Sequence, residues 1–353
     1  MKTKIILLFL FLPLIKGLSQ ANAGNYQKLR DSLQTLPNYD TVSFFNIIHK
    51  LNVIATQLKS PQKKADVLHI IATYYYFRTD DVNANRYYDS ALTILKKYPD
   101  RKLKNIIDLK REYLELNKGD FNKAKVFYKE KMLSEKNDTM AQILINMALG
   151  QIYQIQQKHD SSLFFLFKAT YYAKLKKDLF YIATTKNNLG GEYQILSKNE
   201  EAKKEFMDAV AIAKKINNRK LVASINNNIA STYIKENKIH EALAIYHQNL
   251  SFYENTNFYY EISYNYLNIG LCYFKLNNRK QMKLATEKAI QNITKNNLPI
   301  EAINIYTQIS SLYLEAELYK SIVLLSNEAI SFSKKNKLDI LDPQFFNNLS
   351  YAN

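Results

Sequence analysis

The chain repeats itself every forty residues. KNNLGGEY begins at Lys186, NNNIASTY at Asn226, YLNIGLCY at Tyr266 and YTQISSLY at Tyr306. One more step lands on Phe346-Asn347-Asn348-Leu349-Ser350. Backwards, Gly150 lies forty before Gly190, Glu112 takes the same place after a two-residue slip, and Ala72 lies forty before that. Fixed self-similarity of this length is the mark of one supersecondary unit stacked on copies of itself. A stack also explains how 353 residues fold without one oversized core.

Each unit reads as two helices. Lys186, Leu189, Gly190 and Tyr193 stand at i, i+3, i+4 and i+7, one face of a first helix. The polar break Ser197–Glu201 follows, and Ala202, Phe206, Ala209, Val210 and Ala213 then form the matching face of a second. Gly190 and Ala202 let the backbones approach, while Tyr193 and Phe206 fill the wider gaps. The device recurs at Ala72, Tyr75, Ala84, Tyr88 and Ala91, at Leu149, Gly150, Tyr153 and Ala169, and at Ile229, Ala230, Tyr233, Ala242 and Tyr246. Only 7 glycines and 6 prolines are present, too few for the turns of an all-β fold.

The column of large residue, Leu, small residue and Tyr, followed by Ala, aromatic and Ala, resembles the tetratricopeptide repeat family over roughly residues 61 to 353. Two features depart from the family pattern. The units are forty residues long against the usual family period of about 34, and the terminal proline is mostly missing. The resemblance implies an all-α solenoid of helix-turn-helix repeats wound into a right-handed superhelix. Seven units fill residues 61–344, with Ala72, Glu112, Gly150, Gly190, Ala230, Gly270 and Ser310 at the small position. Residues 20–60 read as degenerate capping helices. Residues 345–353 read as the first helix of an eighth unit, which leads us to expect a natural chain that continues.

Residues 1–19 read as an export signal. Lys2 and Lys4 precede the apolar run Ile5–Ile15, and Gly17-Leu18-Ser19 offers small residues for cleavage. The run is too short to span a bilayer. The formal net charge is +17, but the lysines are spread along the chain among Asn and Tyr, so no nucleic-acid role is expected. Membrane contact is expected only through a segment beyond Asn353.

Reactive chemistry finds no foothold. His240 and His247 lie seven apart around Glu241, whereas a zinc protease needs two His at i, i+4. His49, His69 and His159 are isolated, and no GxSxG, P-loop or GxGxxG occurs. Cys272 is the only cysteine; without a neighbouring His or basic residue it reads as a quiet thiol. No enzyme activity, cofactor or metal is expected.

Binding is what remains. In the family resembled, the concave groove comes mainly from the first helices. Carrying that offset over gives the stripes Leu144, Met147, Gln151, Gln154; Thr184, Asn187, Gly191, Gln194; Ser224, Asn227, Ser231, Ile234; and Tyr264, Leu267, Leu271, Phe274. Asn188, Asn228, Asn268 and Asn348 recur beside them. Two roles fit this asparagine ladder: gripping the backbone of an extended peptide, or hydrogen-bonding adjacent units to fix their stacking. The last stripe, an aromatic anchor pocket in one reading and extra burial in the other, leaves its helix apolar over much of its circumference. A carboxylate clamp is not expected, because Asn187, Asn227 and Leu267 stand where such clamps carry Lys. The expected partner is a protein or peptide ligand. The expected setting is the periplasm, as a free scaffold or as the sensory part of a membrane-bound regulator. A cytoplasmic peptide-receptor regulator and a periplasmic assembly factor are the alternatives.

Overall fold

The computed structural model describes residues 24–30, 41–76, 80–116, 120–254, 258–296, 298–336 and 343–351. The export signal lies outside them. Every regular element among the described residues is an α-helix. Residues 24–30 (α1) and Thr41–Gln57 (α2) precede seven hairpins. These pair Pro61–Tyr76 (α3) with Asp81–Lys97 (α4), Arg101–Leu116 (α5) with Phe121–Ser134 (α6), and Thr139–Ile155 (α7) with His159–Lys176 (α8). Leu179–Ile195 (α9) pairs with Asn199–Lys215 (α10), Arg219–Lys235 (α11) with Ile239–Tyr253 (α12), Tyr259–Lys275 (α13) with Arg279–Lys295 (α14), and Pro299–Glu315 (α15) with Tyr319–Lys335 (α16). Pro343–Ser350 (α17) follows. The chain is an all-α repeat solenoid. It divides into two compact units between Val222 and Ala223.

Local chemistry starts and stops these helices. Asp80, Asp120, Asp138, Asp178 and Asn278 accept hydrogen bonds from backbone N–H groups in the first turns of α4, α6, α7, α9 and α14. Inside the hairpins, Gln157, Ser197, Asn237, Asn277 and Glu317 take positive φ, each forty residues after the last. Beside each, the N–H of the next residue returns to a tyrosine carbonyl: Lys158 to Tyr153, Lys198 to Tyr193, Lys238 to Tyr233, Asn278 to Tyr273 and Leu318 to Tyr313, at 2.8–2.9 Å. This is the closing bond of a left-handed helix cap. Asparagine tolerates that conformation better than serine or glutamate. Ser197→Gly and Glu317→Gly should therefore each raise the unfolding free energy by about 1 kcal/mol, read by thermal melting, with Asn237→Gly giving less.

The small residues hold the hairpins together. A Cβ on Gly150 would stand 2.7 Å from Leu166, one on Gly190 2.5 Å from Phe206, and one on Gly270 3.0 Å from Thr286. Each contact residue lies sixteen positions later, on the partner helix. Ala230 and Tyr246, both fully buried, occupy the corresponding places in the α11–α12 hairpin. Glu112 is confirmed in register by Ala124 and Tyr128, buried twelve and sixteen residues on. Phe345 of α17 is fully buried in one core with Tyr306, Ile309 and Leu325.

Candidate functional site

On several first helices, a second face lies beside the packing face and is neither core nor open surface. In unit 1 this face carries Tyr76, Tyr113, Gln151, Gln154, Thr184, Asn187, Gly191 and Gln194, all half-buried. The rings of Tyr76 and Tyr113 meet edge to face with centroids 6.1 Å apart. Tyr113 donates its hydroxyl hydrogen to Gln151 Oε1. Burial, then the fields of Tyr113, Tyr88 and Tyr181, raise the Tyr76 phenol well above its usual range. Tyr113 is half-buried, and burial pushes its phenol to about 12.

Lys110 joins this face and was missed from sequence. It stands two residues before Glu112, in the column of Asn188, Asn228, Asn268 and Asn348, and the slip in spacing hid it. Its Nζ donates to Thr73 Oγ1, one hairpin back, at 3.1 Å. Burial, with Arg30 adding, pushes its amine down to about 8. At the other end of the column, Asn348 Nδ2 donates to Ser310 Oγ and Ser311 Oγ, both at 2.8 Å and again one hairpin back. Stacking is thus the role these two members display. Asn188 and Asn268 are half-buried in the same register. Asn228 shares it, and its backbone carbonyl accepts from Thr232 Oγ1 at 3.0 Å. Asn227 is tied into its own hairpin, its Oδ1 accepting from Asn249 Nδ2 at 2.6 Å.

In unit 2 the predicted anchor stripe changes composition. Leu267 is only 5% exposed and belongs to the core with Met282, Ile305 and Tyr306. It is a packing residue, because α13 contacts both its partner α14 and the next first helix, α15. Tyr264, Leu271 and Phe274 pack on the rim of that core and stay half-buried. Tyr264 also stacks on Tyr260, centroids 6.1 Å apart. Cys272 beside them is fully buried, and burial pushes its thiol up to about 12. His240 and His247 are exposed on α12. Among the described residues no group of three or more His, Cys, Asp or Glu is placed to hold a metal.

Gly191 differs from Gly150, Gly190 and Gly270, the other glycines inside the hairpin helices. A Cβ there would meet nothing within 4 Å, so packing does not account for it. A glycine inside a helix costs roughly 0.5–1 kcal/mol relative to alanine. The helix accepts that cost on the half-buried face between Asn187 and Gln194.

A buried ionic cluster stands behind the first hairpins. Asp66 accepts from Arg30 Nε at 2.8 Å and from the Tyr26 hydroxyl at 3.1 Å. His69 is buried with its Nδ1 3.8 Å from Asp66 Oδ1, beyond hydrogen-bond reach. Burial, then the Lys110 charge, hold its pKa at about 4, below the usual 6.5. The unfolded chain binds a proton at this residue near pH 6.5 while the folded chain does not. Stability is therefore complete above pH 6.5 and falls as the pH drops toward 4. Asp66 adds to the loss at still lower pH. Burial pushes its carboxyl up, but the hydrogen bonds and charge of Arg30 hold it well below the usual range. His69→Leu should remove about 2 kcal/mol of the stability lost between pH 7 and pH 5, seen as a flatter acid limb in urea unfolding.

Fold and face together define an α-helical repeat solenoid. Residues 263–295 match the family model described as a tetratricopeptide repeat. No curated protein matches the sequence. Among solved structures, the chain is similar to a Rap protein complexed with competence and sporulation factor, at 14% identity and TM-score 0.60, covering 82% of this chain and 85% of that one. It is similar to NprR in complex with its cognate peptide NprX, at 15% identity and TM-score 0.54, covering 84% and 82%. It is also similar to a signal transduction ATPase with a tetratricopeptide repeat sensor from Pyrococcus horikoshii, at 15% identity and TM-score 0.61, covering 95% of this chain and 52% of that one. At these identities the likeness is one of fold.

Proposed function

We propose that the protein is a non-enzymatic scaffold whose first-helix face binds an extended peptide or protein segment. The observation that carries this reading is Gly191, a helix-weakening residue whose added Cβ would meet nothing within 4 Å, on a half-buried face of amides and tyrosines. Side-chain amides offer donors and acceptors to a peptide backbone, and tyrosines offer flat apolar contact. The Rap and NprR structures, with a factor and a cognate peptide bound, support the same use of this architecture. The test is selection of a displayed library of random peptides. Enriched sequences should bind the wild-type protein and lose at least about tenfold in affinity to Gly191→Trp, with helix content checked by circular dichroism. No enrichment over Gly191→Trp would end the proposal.

The proposal extends to export, supported by Lys2, Lys4 and the apolar run Ile5–Ile15, and to a sensory role in a membrane-bound regulator. N-terminal sequencing of the secreted protein should begin at Gln20. A chain that retains residues 1–19 would favour a cytoplasmic peptide receptor instead.

A further inference from the structure

The outer helix α8 is apolar on both sides. Phe165, Leu166, Ala169 and Ala173 are buried. On the opposite face Phe164 is 52% exposed, Phe167 49%, Tyr171 62% and Leu175 59%. Their spacing of three, four and four makes one stripe about 16 Å long. Single exposed apolar residues are ordinary, but four large ones in a row on one helix are not.

The surroundings of the stripe identify its partner. Lys168, Lys174, Lys176 and Lys177 are exposed on or just beyond α8, against one exposed acid, Asp160. The Lys168 Nζ lies 4.5 Å from the centre of the Phe164 ring, its stem along the stripe. The preceding outer helix, α6, exposes Val126 and Leu133 with Lys123, Lys129 and one acid, Glu130, and Lys136 follows, while the next outer helix, α10, exposes the acids Glu200, Glu201 and Asp208. A second copy of the chain would set these lysines against their own kind. A rigid partner would need a pocket, whereas the stripe is a ridge. A lipid interface conforms to a ridge, accepts aromatic and leucine side chains at headgroup depth, and, when anionic, attracts the flanking lysines. We infer that the outer face of α8 seats the protein on an anionic membrane surface, lying in the interface without crossing it. It is independent of the peptide reading.

The chain contains no tryptophan, so Phe167→Trp supplies a single reporter at an exposed site. With vesicles of phosphatidylglycerol and phosphatidylethanolamine its emission should shift to the blue. With phosphatidylcholine vesicles it should not. Lys168→Gln with Lys174→Gln in that background should weaken partitioning at least about tenfold. Tyr171→Gln with Leu175→Gln should abolish the shift without changing the melting temperature. An unshifted emission overturns the inference, including the case in which the protein pellets with vesicles through residues 5–15. So does a concentration-dependent dimer in sedimentation velocity that Tyr171→Gln with Leu175→Gln dissolves, since a second copy would then be the partner.

Discussion

Gly190→Val should lower the unfolding free energy by about 3 kcal/mol, the upper end of what overpacking costs in a close-packed core. The added Cβ alone would stand 2.5 Å from Phe206 Cε1 and 2.6 Å from Cδ1. Phe206 has no exposed surface and no direction in which to swing its ring. The helices α9 and α10 must separate or the ring must leave its rotamer. The cost belongs to the pair. In a Phe206→Ala background the same substitution should cost less than about 1 kcal/mol, and a double-mutant cycle by urea unfolding would expose the coupling. Equal losses in both backgrounds would mean that the helices meet elsewhere.

The second large effect is expected at Glu192. This carboxylate is fully buried, accepts from Gln154 Nε2 at 2.7 Å, and stands 2.7 Å from His159 Nδ1. Gln154 belongs to the preceding first helix and His159 opens α8, so Glu192 ties two hairpins together. Glu192→Ala removes the shared acceptor and leaves a cavity, which should cost about 3 kcal/mol. Glu192→Leu should stay within about 1 kcal/mol of wild type. Ile152 and Leu312 fill the equivalent place in other hairpins, and Gln154 and His159 both keep access to water. Thermal melts of the two variants side by side separate a bonded carboxylate from a mere volume requirement.

The repeat was legible because packing left a column of small residues at Ala72, Gly150, Gly190, Ala230 and Gly270, each explained by its partner sixteen positions on. The polar break at Ser197–Glu201 marked the hairpin turn, though its left-handed residue was not readable from Gln, Ser or Glu. Lys110 escaped notice because Glu112 to Gly150 is a 38-residue step and Glu112 is not small. Tyr76 and Tyr113 stand four and one residues after Ala72 and Glu112, the offsets of Gln194 and Gly191 from Gly190, so the same spacing extended to the first hairpins reaches them. Leu267 and the α8 stripe show the limit of periodicity. In both places apolar residues surround a helix, and only the neighbours decide which side is covered. On α13 it is Leu267, while on α8 Phe167 and Tyr171 remain outside.

Gly191→Ala tests the binding face most directly, because stability and affinity should move in opposite directions. Melting and affinity for a library-selected peptide are measured on the same two proteins. The account predicts a gain of roughly 0.5–1 kcal/mol in stability, since the methyl group meets nothing within 4 Å, together with weaker peptide binding. A more stable variant that binds the peptide as tightly as wild type would contradict it.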